Sequence, residues 1–119
     1  MKRLLIAGSR NRSPLASELD CMFRSLHYYL DGPVTVVSGG AKGVDTAGEK
    51  WAAERHHHVD LFEPDWKANG KSAGYVRNNA MVDSGLDAAI VFWDGSSKGT
   101  KHTLGLLEEA GVPRVVVVV

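Results

Sequence analysis

Three glycine-bearing segments of the chain combine residue types that suit anion binding. They read GSRNRS from Gly8, SGGAKGVD from Ser38 and WDGSSKGT from Trp93, and each includes or follows the end of a short apolar run. Glycine lets a backbone amide approach a ligand closely. A helix that starts behind such a loop adds unpaired N–H groups and a partial positive charge. The three segments therefore predict contacts with a phosphate group.

The candidate ligand-binding residues lie in these segments and in one helix between the second and the third. Glycines allow close backbone approach, hydroxyls supply donors, and basic side chains, Arg12 among them, supply full charges. A single loop of this kind is about as often a simple tight turn as a binding loop, whereas three such loops together favour a ligand-binding site. The candidates are Gly8, Ser9, Arg10, Ser38, Gly39, Gly40, Lys42, Gly43, Asp45, Arg77, Asn78, Asp94, Gly95, Ser96, Lys98, Gly99 and Thr100.

Asp45 has two competing interpretations. At the start of a helix it would cap free N–H groups, while Thr46 and Glu49 have the S/T-x-x-E spacing of a capping box. Alternatively, its carboxylate would bind a ribose hydroxyl. Capping is the favoured interpretation, because a carboxylate beside a phosphate would repel the ligand.

Three further features have simpler explanations than their composition suggests. The segment DWKANGKS ends like a Walker P-loop, but Asp65 stands where the first glycine belongs and no strand precedes it, so a Walker-type ATPase is rejected. The three histidines 56–58 point in alternating directions and favour a solvated turn over a metal site. Trp66 either stacks on a base or covers the third strand as a hydrophobic plug. No metal and no cofactor are expected.

Apolar runs of strand length alternate with stretches of helical spacing, which predicts a parallel sheet covered by helices. The first helix begins with Ser13 as its cap and Pro14 at its first position, and ends before Asp31. Residues 63–72 are expected to form a loop. The predicted strands are 3–7, 34–38, 58–62, 87–93 and 114–119, and the remaining helices are 45–55, 73–84 and 100–110.

These elements predict a single α/β domain over residues 1–119. Its architecture is a Rossmann-like three-layer sandwich with a mainly parallel five-stranded sheet in the order 3-2-1-4-5. All three glycine loops then lie at the carboxyl edge of the sheet, where ligands bind at the reversal of strand order. The last strand is nearly all valine, which indicates cover on both faces. It would also lie at a sheet edge, where pairing with a second copy predicts a homo-oligomer.

Composition limits the expected partners. Fourteen Lys and Arg residues balance fourteen Asp and Glu residues in a chain of 119. The chain therefore lacks the bulk positive charge that usually accompanies nucleic-acid or membrane binding. Cys21 has no second cysteine to pair with, and the first apolar stretch is too short for a signal peptide. We expect a cytoplasmic protein without membrane binding, with nucleic acid as a less favoured partner.

Four segments of the chain resemble the SLOG superfamily of Rossmann-like nucleotide-binding proteins, and in particular its small phage and bacterial YspA-like, YpsA-related branch. They are IAGSR, VVSGGAKGVDTAGEKWA, DW…GKSAGYVRNNAMVD and DAAIVFWDGSSKGTKHT, in that order. The second is similar to the glycine-rich signature of DprA, which binds single-stranded DNA. The last resembles the Gly-Gly-x-Gly-Thr stretch of the Lonely Guy (LOG) phosphoribohydrolases, which release a base from a nucleoside monophosphate. This likeness places Arg77 at the hydrolases' arginine and Gly99-Thr100 at their Gly-Thr.

The chain departs from the hydrolases directly behind Gly-Thr. Lys101, His102 and Thr103 stand where those enzymes place acidic residues. Cleavage of an N-glycosidic bond passes through a cationic sugar, which a carboxylate stabilises. Glu108 and Glu109 lie roughly 12 Å further along the helix, so they cannot replace the missing group.

Three functions follow from these observations. The favoured one is binding or sensing of a nucleotide-type ligand, such as a nucleoside phosphate or ADP-ribose, with the phosphate held by the loops after the second and fourth strands. The first alternative is an N-glycosidase, with Asp94 or Asp45 as the carboxylate and Arg77 on the phosphate. The second alternative is a single-stranded DNA binder similar to DprA. Likeness of fold does not choose among them.

Overall fold

The computed structural model describes residues 1–118, and its strands and helices alternate along almost the entire chain. Val119, assigned to the last strand from the sequence, lies outside the described residues. The elements are β1 (Arg3–Gly8), α1 (Ala16–Ser25), β2 (Thr35–Ser38), α2 (Val44–Glu54), β3 (His58–Leu61), α3 (Trp66–Asn69), a 3-10 turn (Gly70–Ser72), α4 (Ala73–Asp83), β4 (Ala88–Trp93), α5 (Lys98–Glu109) and β5 (Arg114–Val118).

All five strands are parallel and form one sheet in the order β3-β2-β1-β4-β5. The predicted fold class and strand order are confirmed. The chain runs outward from β1 to β3, returns through α4, and continues from β4 to β5. The strand order therefore reverses between β1 and β4, which pair over five residues from Leu4 opposite Ala88 to Gly8 opposite Phe92.

Side chains of the central strands alternate between two apolar cores, one on each face of the sheet. On one face, Leu4 and Ile6 pack with Trp51 of α2. On the other, Leu5 packs with Met81 of α4. Because both faces are covered, β1 is apolar at consecutive positions instead of alternating with polar residues. The two cores hold the carboxyl ends of β1 and β4 in fixed positions.

The structure corrects two helix predictions. Residues 63–72 are not a plain loop, because α3 begins behind Asp65, whose Oδ1 accepts the Ala68 N–H at 3.0 Å. Trp66 starts that helix and is 55% exposed, so it is not a hydrophobic plug. The first helix begins at Ala16, two residues later than predicted. Ser13 is not its cap; Glu18 instead accepts the Leu15 N–H at 3.0 Å.

β5 lies at one edge of the sheet, as predicted. Its two faces differ: Val115 and Val117 pack on the core, whereas Val116 is 39% and Val118 67% exposed. The expectation of cover on both faces is therefore wrong. A nearly uniform valine run hides this alternation, because the sequence carries no polar residue to mark the open face.

His57 has a structural position in this fold. Its Nδ1 accepts the Val34 N–H at 3.1 Å, and its ring centre lies 4.8 Å from that of Trp51. Burial, with a smaller effect of the neighbouring His56, lowers the pKa of His57. Residues 1–118 contain no cluster of three or more His, Cys, Asp or Glu side chains placed to hold a metal ion. No helix in that range has the length and apolar character to cross a membrane.

Candidate functional site

A cavity of about 500 Å³ opens at the carboxyl edge of the sheet, where the strand order reverses. Its walls come from the loops after β1, β2 and β4, and from α4 and the start of α5. Drug-sized ligands occupy cavities of roughly 300–1,000 Å³. The volume lies within this range, and the position is the one at which open α/β sheets commonly bind ligands.

The structure brings eight of the candidate residues to the walls of this cavity. They are Gly8, Arg10, Asp45, Arg77, Asn78, Asp94, Gly99 and Thr100. The other nine candidates lie behind the walls or on the nearby surface. They are Ser9, Ser38, Gly39, Gly40, Lys42, Gly43, Gly95, Ser96 and Lys98.

The glycines after β2 accommodate other protein groups. A Cβ on Gly39 would lie 2.5 Å from Arg77 Nη1, so this glycine leaves room for the guanidinium. Gly43 has a φ of +79°, and a Cβ there would lie 2.5 Å from the Arg10 carbonyl oxygen. Val44 N–H donates to the Ser9 carbonyl across the same contact, at 3.3 Å. These glycines let the loop after β2 pack against α4 and against the loop after β1.

Asp45 lies in the first turn of α2 and is only 5% exposed. Its Oδ2 accepts the Ala41 N–H at 3.3 Å, so it holds the preceding loop instead of capping the helix. The predicted capping box is also absent within residues 1–118: Thr46 donates to the Ala41 carbonyl and Glu49 accepts from Ser38. Burial raises the pKa of Asp45 to about 6, although the Ala41 amide and the Arg77 charge oppose this.

Arg77 and Asn78 connect the loop after β2 to the start of α5. Arg77 Nη1 donates to the Gly39 carbonyl, and its Nε donates to Asn78 Oδ1 at 2.9 Å. The Asn78 amide nitrogen donates in turn to the Gly99 carbonyl at 3.4 Å. Burial lowers the pKa of Arg77 and the Asp45 carboxylate opposes that effect. The guanidinium is therefore a partly desolvated charge at a fixed place in the cavity wall.

Asp94 organises the loop after β4. Its Oδ1 accepts the Ser96 and Ser97 N–H groups at 2.9 and 2.7 Å, and these bonds lower the pKa of Asp94. Its own N–H donates to Ser9 Oγ at 3.2 Å. One oxygen of this carboxylate thus shapes the turn that leads into α5.

The first turn of α5 is the open part of the cavity wall. Within residues 1–118, a Cβ added at Gly99 would meet no atom within 4 Å apart from its two chain neighbours and the adjoining backbone of α5. Thr100 is buried, and its hydroxyl oxygen accepts from Ser97 Oγ at 3.3 Å. Helices leave their first N–H groups without intrahelical partners. A ligand can therefore approach these amides at Gly99 with little obstruction.

The basic candidates divide into two groups. Arg10 and Arg77 line the cavity. Lys42 and Lys98 are exposed outside it, and Lys42 instead borders a second, more open concavity together with Arg10 and Arg12. Lys42 and Lys98 therefore do not share the cavity wall with the two arginines.

Several wall residues were missed from the sequence. Two of them follow a candidate by four positions on the same helix: Met81 follows Arg77, and Thr103 follows Gly99. Helical spacing alone places such pairs on one face, and Thr103 Oγ1 donates to the Gly99 carbonyl at 3.2 Å. Of the others, Asn11, Ala41 and Ser97 lie inside the three glycine-bearing segments, whereas Ala7 directly precedes the first of them. The missed residues are Ala7, Asn11, Ala41, Met81, Ser97 and Thr103.

Comparison with known proteins identifies the family. The model of the YspA, cpYpsA-related SLOG family matches residues 3–68, more than half of the chain. The chain belongs to this SLOG family. This SLOG protein is also 37% identical, over 118 residues, to a protein named "Gene 61 protein" from Mycobacterium phage D29; the match covers 95% of the chain and 94% of the phage protein. The family match includes the loops after β1 and β2, and the phage match extends over nearly the full chain.

Proposed function

We propose that this SLOG protein binds or senses a nucleotide or nucleotide-derived ligand in the cavity between β1 and β4. One observation carries the proposal: the open first turn of α5 and the guanidinium of Arg77 line the same cavity. Free helix amides and a nearby arginine are together the usual partners of a phosphate.

The cavity wall contains two arginines and two carboxyls, Asp45 and Asp94, and the Ser96 and Ser97 N–H groups donate to the Asp94 Oδ1. Arg10 and Arg77 are both in the wall, and Arg10 contributes to lowering the pKa of Arg77 by its like charge. Two carboxyls offset this positive charge: Asp94, whose pKa is lowered by the Ser96 and Ser97 amides, and Asp45, whose ionisation is made less favourable by burial. The case for an anion therefore rests on the position of the arginines beside the start of α5. A phosphate between the arginines and α5 would compensate the desolvated guanidinium, which is costly to leave without a partner.

The rest of the wall suits a nucleoside. Ala7 and Met81 form an apolar part of the cavity wall, although only 7% and 2% of their surfaces are exposed. The Asp45 carboxylate would accept a hydrogen bond from a sugar hydroxyl, the second interpretation of this residue from the sequence. At pH 7 this carboxyl is mostly ionised, since its pKa is about 6. A ligand with a phosphate, a sugar and a planar base uses each of these surfaces.

A matched set of ligands tests the proposal. Adenosine, AMP, ADP and ADP-ribose share one base and differ in their phosphates. We expect the phosphorylated compounds to raise the melting temperature and adenosine to have a much smaller effect. At one hundred times its dissociation constant a ligand adds about 2.7 kcal/mol to the free energy of unfolding. Equal effects of adenosine and AMP, or none from any purine or pyrimidine nucleotide, would contradict the proposal.

The alternative of an N-glycosidase has one observation in its favour, the buried carboxyl of Asp45 with its raised pKa in the cavity wall. Perturbed carboxyls of this kind often mark catalytic sites. His102, which stands in place of a hydrolase acid, instead contacts Asn78 and packs edge-on against Tyr75. The test is to incubate the protein with nucleoside monophosphates and to assay for free base. Release of base that is abolished in Asp45→Asn or Asp94→Asn would show that the function is catalysis and not binding alone.

We also propose that the chain self-associates through β5. Val116 and Val118 are exposed on a strand whose outer edge has no neighbouring strand in residues 1–118. Such an edge offers unpaired backbone groups to a second copy. Sedimentation of the protein over a range of concentrations tests this, and a monomer at all of them would contradict it.

A further inference from the structure

A second concavity, of about 420 Å³, adjoins the main cavity. It lies between the loop after β1 and the loop before α2, and Arg10 and Asn11 belong to the walls of both cavities. Its other walls are Arg12, Ser13, Lys42, Gly43 and Thr46. The two spaces are thus separated only by residues that border each of them.

The walls of the second concavity contain three cationic residues and no acidic one. Within the described part of the chain, Arg10 and Lys42 take part in no ion pair. Arg12 pairs with Glu18, whose carboxylate stands behind it. One negative charge therefore offsets three positive ones, on a chain whose formal net charge is zero. Such local accumulation favours an anion.

Arg12 is held in place before any ligand binds. Its Nη2 donates to Glu18 Oε2 at 2.6 Å, and its guanidinium carbon lies 5.5 Å from the centre of the Phe92 ring. Glu18 is fixed in turn through the Leu15 N–H. Of the side-chain polar atoms in residues 1–118, Arg12 Nε alone is buried without a hydrogen-bond partner. A guanidinium fixed in this way loses little freedom when it binds an anion.

The two loops that carry the three cations are also held together. Gly43 lies directly against the Arg10 carbonyl, and the Val44 N–H bonds the Ser9 carbonyl. The loop that carries Arg10 and Arg12 is therefore joined through its backbone to the loop that carries Lys42. The backbone of the concavity is therefore preformed, and it places the three cationic residues beside one another.

We infer that the natural ligand carries two anionic groups, one at the start of α5 and one among Arg10, Arg12 and Lys42. This inference rests on the proposed function and narrows it to nucleoside diphosphates and their diphosphate-linked derivatives. Arg10 borders both spaces and would contact both groups. Single-stranded DNA is less favoured, because the cations are confined to one concavity of limited volume next to the main cavity, whereas strand binding uses an extended basic groove.

The experiment compares the affinities of three ligands for the wild type and for two lysine variants. Calorimetric titrations of AMP, ADP and ADP-ribose would be run on the wild type, on Lys42→Ala and on Lys50→Ala. Lys50 is an exposed lysine on α2 outside both concavities, so its replacement matches the change in charge. We expect ADP or ADP-ribose to bind the wild type at least about tenfold more tightly than AMP, the gain of a charge-assisted hydrogen bond.

Lys42→Ala should weaken binding of the diphosphate compound by about tenfold and reduce its advantage over AMP, and Lys50→Ala should change neither affinity. Equal affinities of the wild type for AMP and for the diphosphate compounds would overturn the inference. It would also be overturned if Lys42→Ala weakened the binding of AMP and of the diphosphate compounds by the same factor. The proposed function would survive either result. If none of the three binds, and no other purine or pyrimidine nucleotide binds either, both fall together. Binding of a short oligothymidylate in their place, lost in Lys42→Ala, would assign the concavity to single-stranded DNA.

Discussion

Replacing Asp45 by Asn should change the pH dependence of stability in a defined direction. Burial raises the pKa of this carboxyl from 3.8 to about 6 in the folded protein. A difference of this size corresponds to about 3 kcal/mol. The amide of Asn has nearly the same shape and can still accept the Ala41 N–H, but it does not ionise. The variant therefore removes the titration and leaves the packing.

The sign follows from proton binding. Between pH 3.8 and about 6 the folded wild type holds the Asp45 proton more tightly than the unfolded chain does, so its free energy of unfolding falls as the pH rises. Below this window the carboxyl is neutral in both states, and above it the carboxyl is ionised in both. The lowered pKa of His57 acts in the opposite direction near pH 6, but that contribution is common to wild type and variant.

Urea denaturation at half-unit steps from pH 3.5 to 7.5 measures the effect. The quantity to follow is the free energy of unfolding of Asp45→Asn minus that of the wild type. We expect this difference to rise by about 3 kcal/mol across the range, with most of the change between pH 4 and 6. The absolute offset also contains the lost attraction between Asp45 and Arg77, so only the change with pH is diagnostic. A flat difference, or one that falls with pH, would refute the account of Asp45.

Three further substitutions test other parts of the structure. Gly43→Ala should lower the free energy of unfolding by about 3 kcal/mol or more, because a positive φ is combined with a Cβ 2.5 Å from a carbonyl oxygen. Gly32→Ala, which has a positive φ in open space, should lower it by only about 1 kcal/mol. Equal losses of the two variants in urea denaturation would contradict the packing argument. Gly99→Ala and Gly105→Ala should each keep or raise stability, by up to about 1 kcal/mol, and a lower melting temperature for either would show an obstruction that the structure lacks. Val116→Lys should leave the stability of dilute protein within about 0.5 kcal/mol of the wild type and reduce self-association in sedimentation, whereas unchanged association would exclude the β5 edge.

Much of the fold was predictable because its local signals agree with one another. From apolar runs, glycine turns and helical spacing, the sequence predicted all five strands, four of the five helices and the strand order. The exceptions have physical reasons. α3 is a single short turn that begins at the Asp65 cap. It was missed because the surrounding segment is polar, as loops usually are. The open face of β5 was missed because valine occupies both faces of that strand.

The candidate site was predictable in its location but not in the role of each residue. Strand order placed the three loops at one edge, and eight candidates line the cavity. The sequence does not show whether a glycine leaves space for a ligand or for a neighbouring side chain. Gly39 and Gly43 leave it for Arg77 and Arg10, whereas Gly99 leaves it open. Distances between loops decide this, and they depend on the packed structure.

The central claim is that a phosphate binds at the open first turn of α5, and one calorimetric comparison tests it most directly. AMP would be titrated into the wild type, Gly99→Ala and Gly105→Ala. Both glycines lie on α5. Within residues 1–118, a methyl group added at either would have no atom within 4 Å apart from its chain neighbours and the adjoining backbone of α5, but only Gly99 lines the cavity. We expect Gly99→Ala to bind AMP at least about tenfold more weakly, through loss of close backbone approach, and Gly105→Ala to bind like the wild type. Equal affinities for all three proteins would contradict the claim.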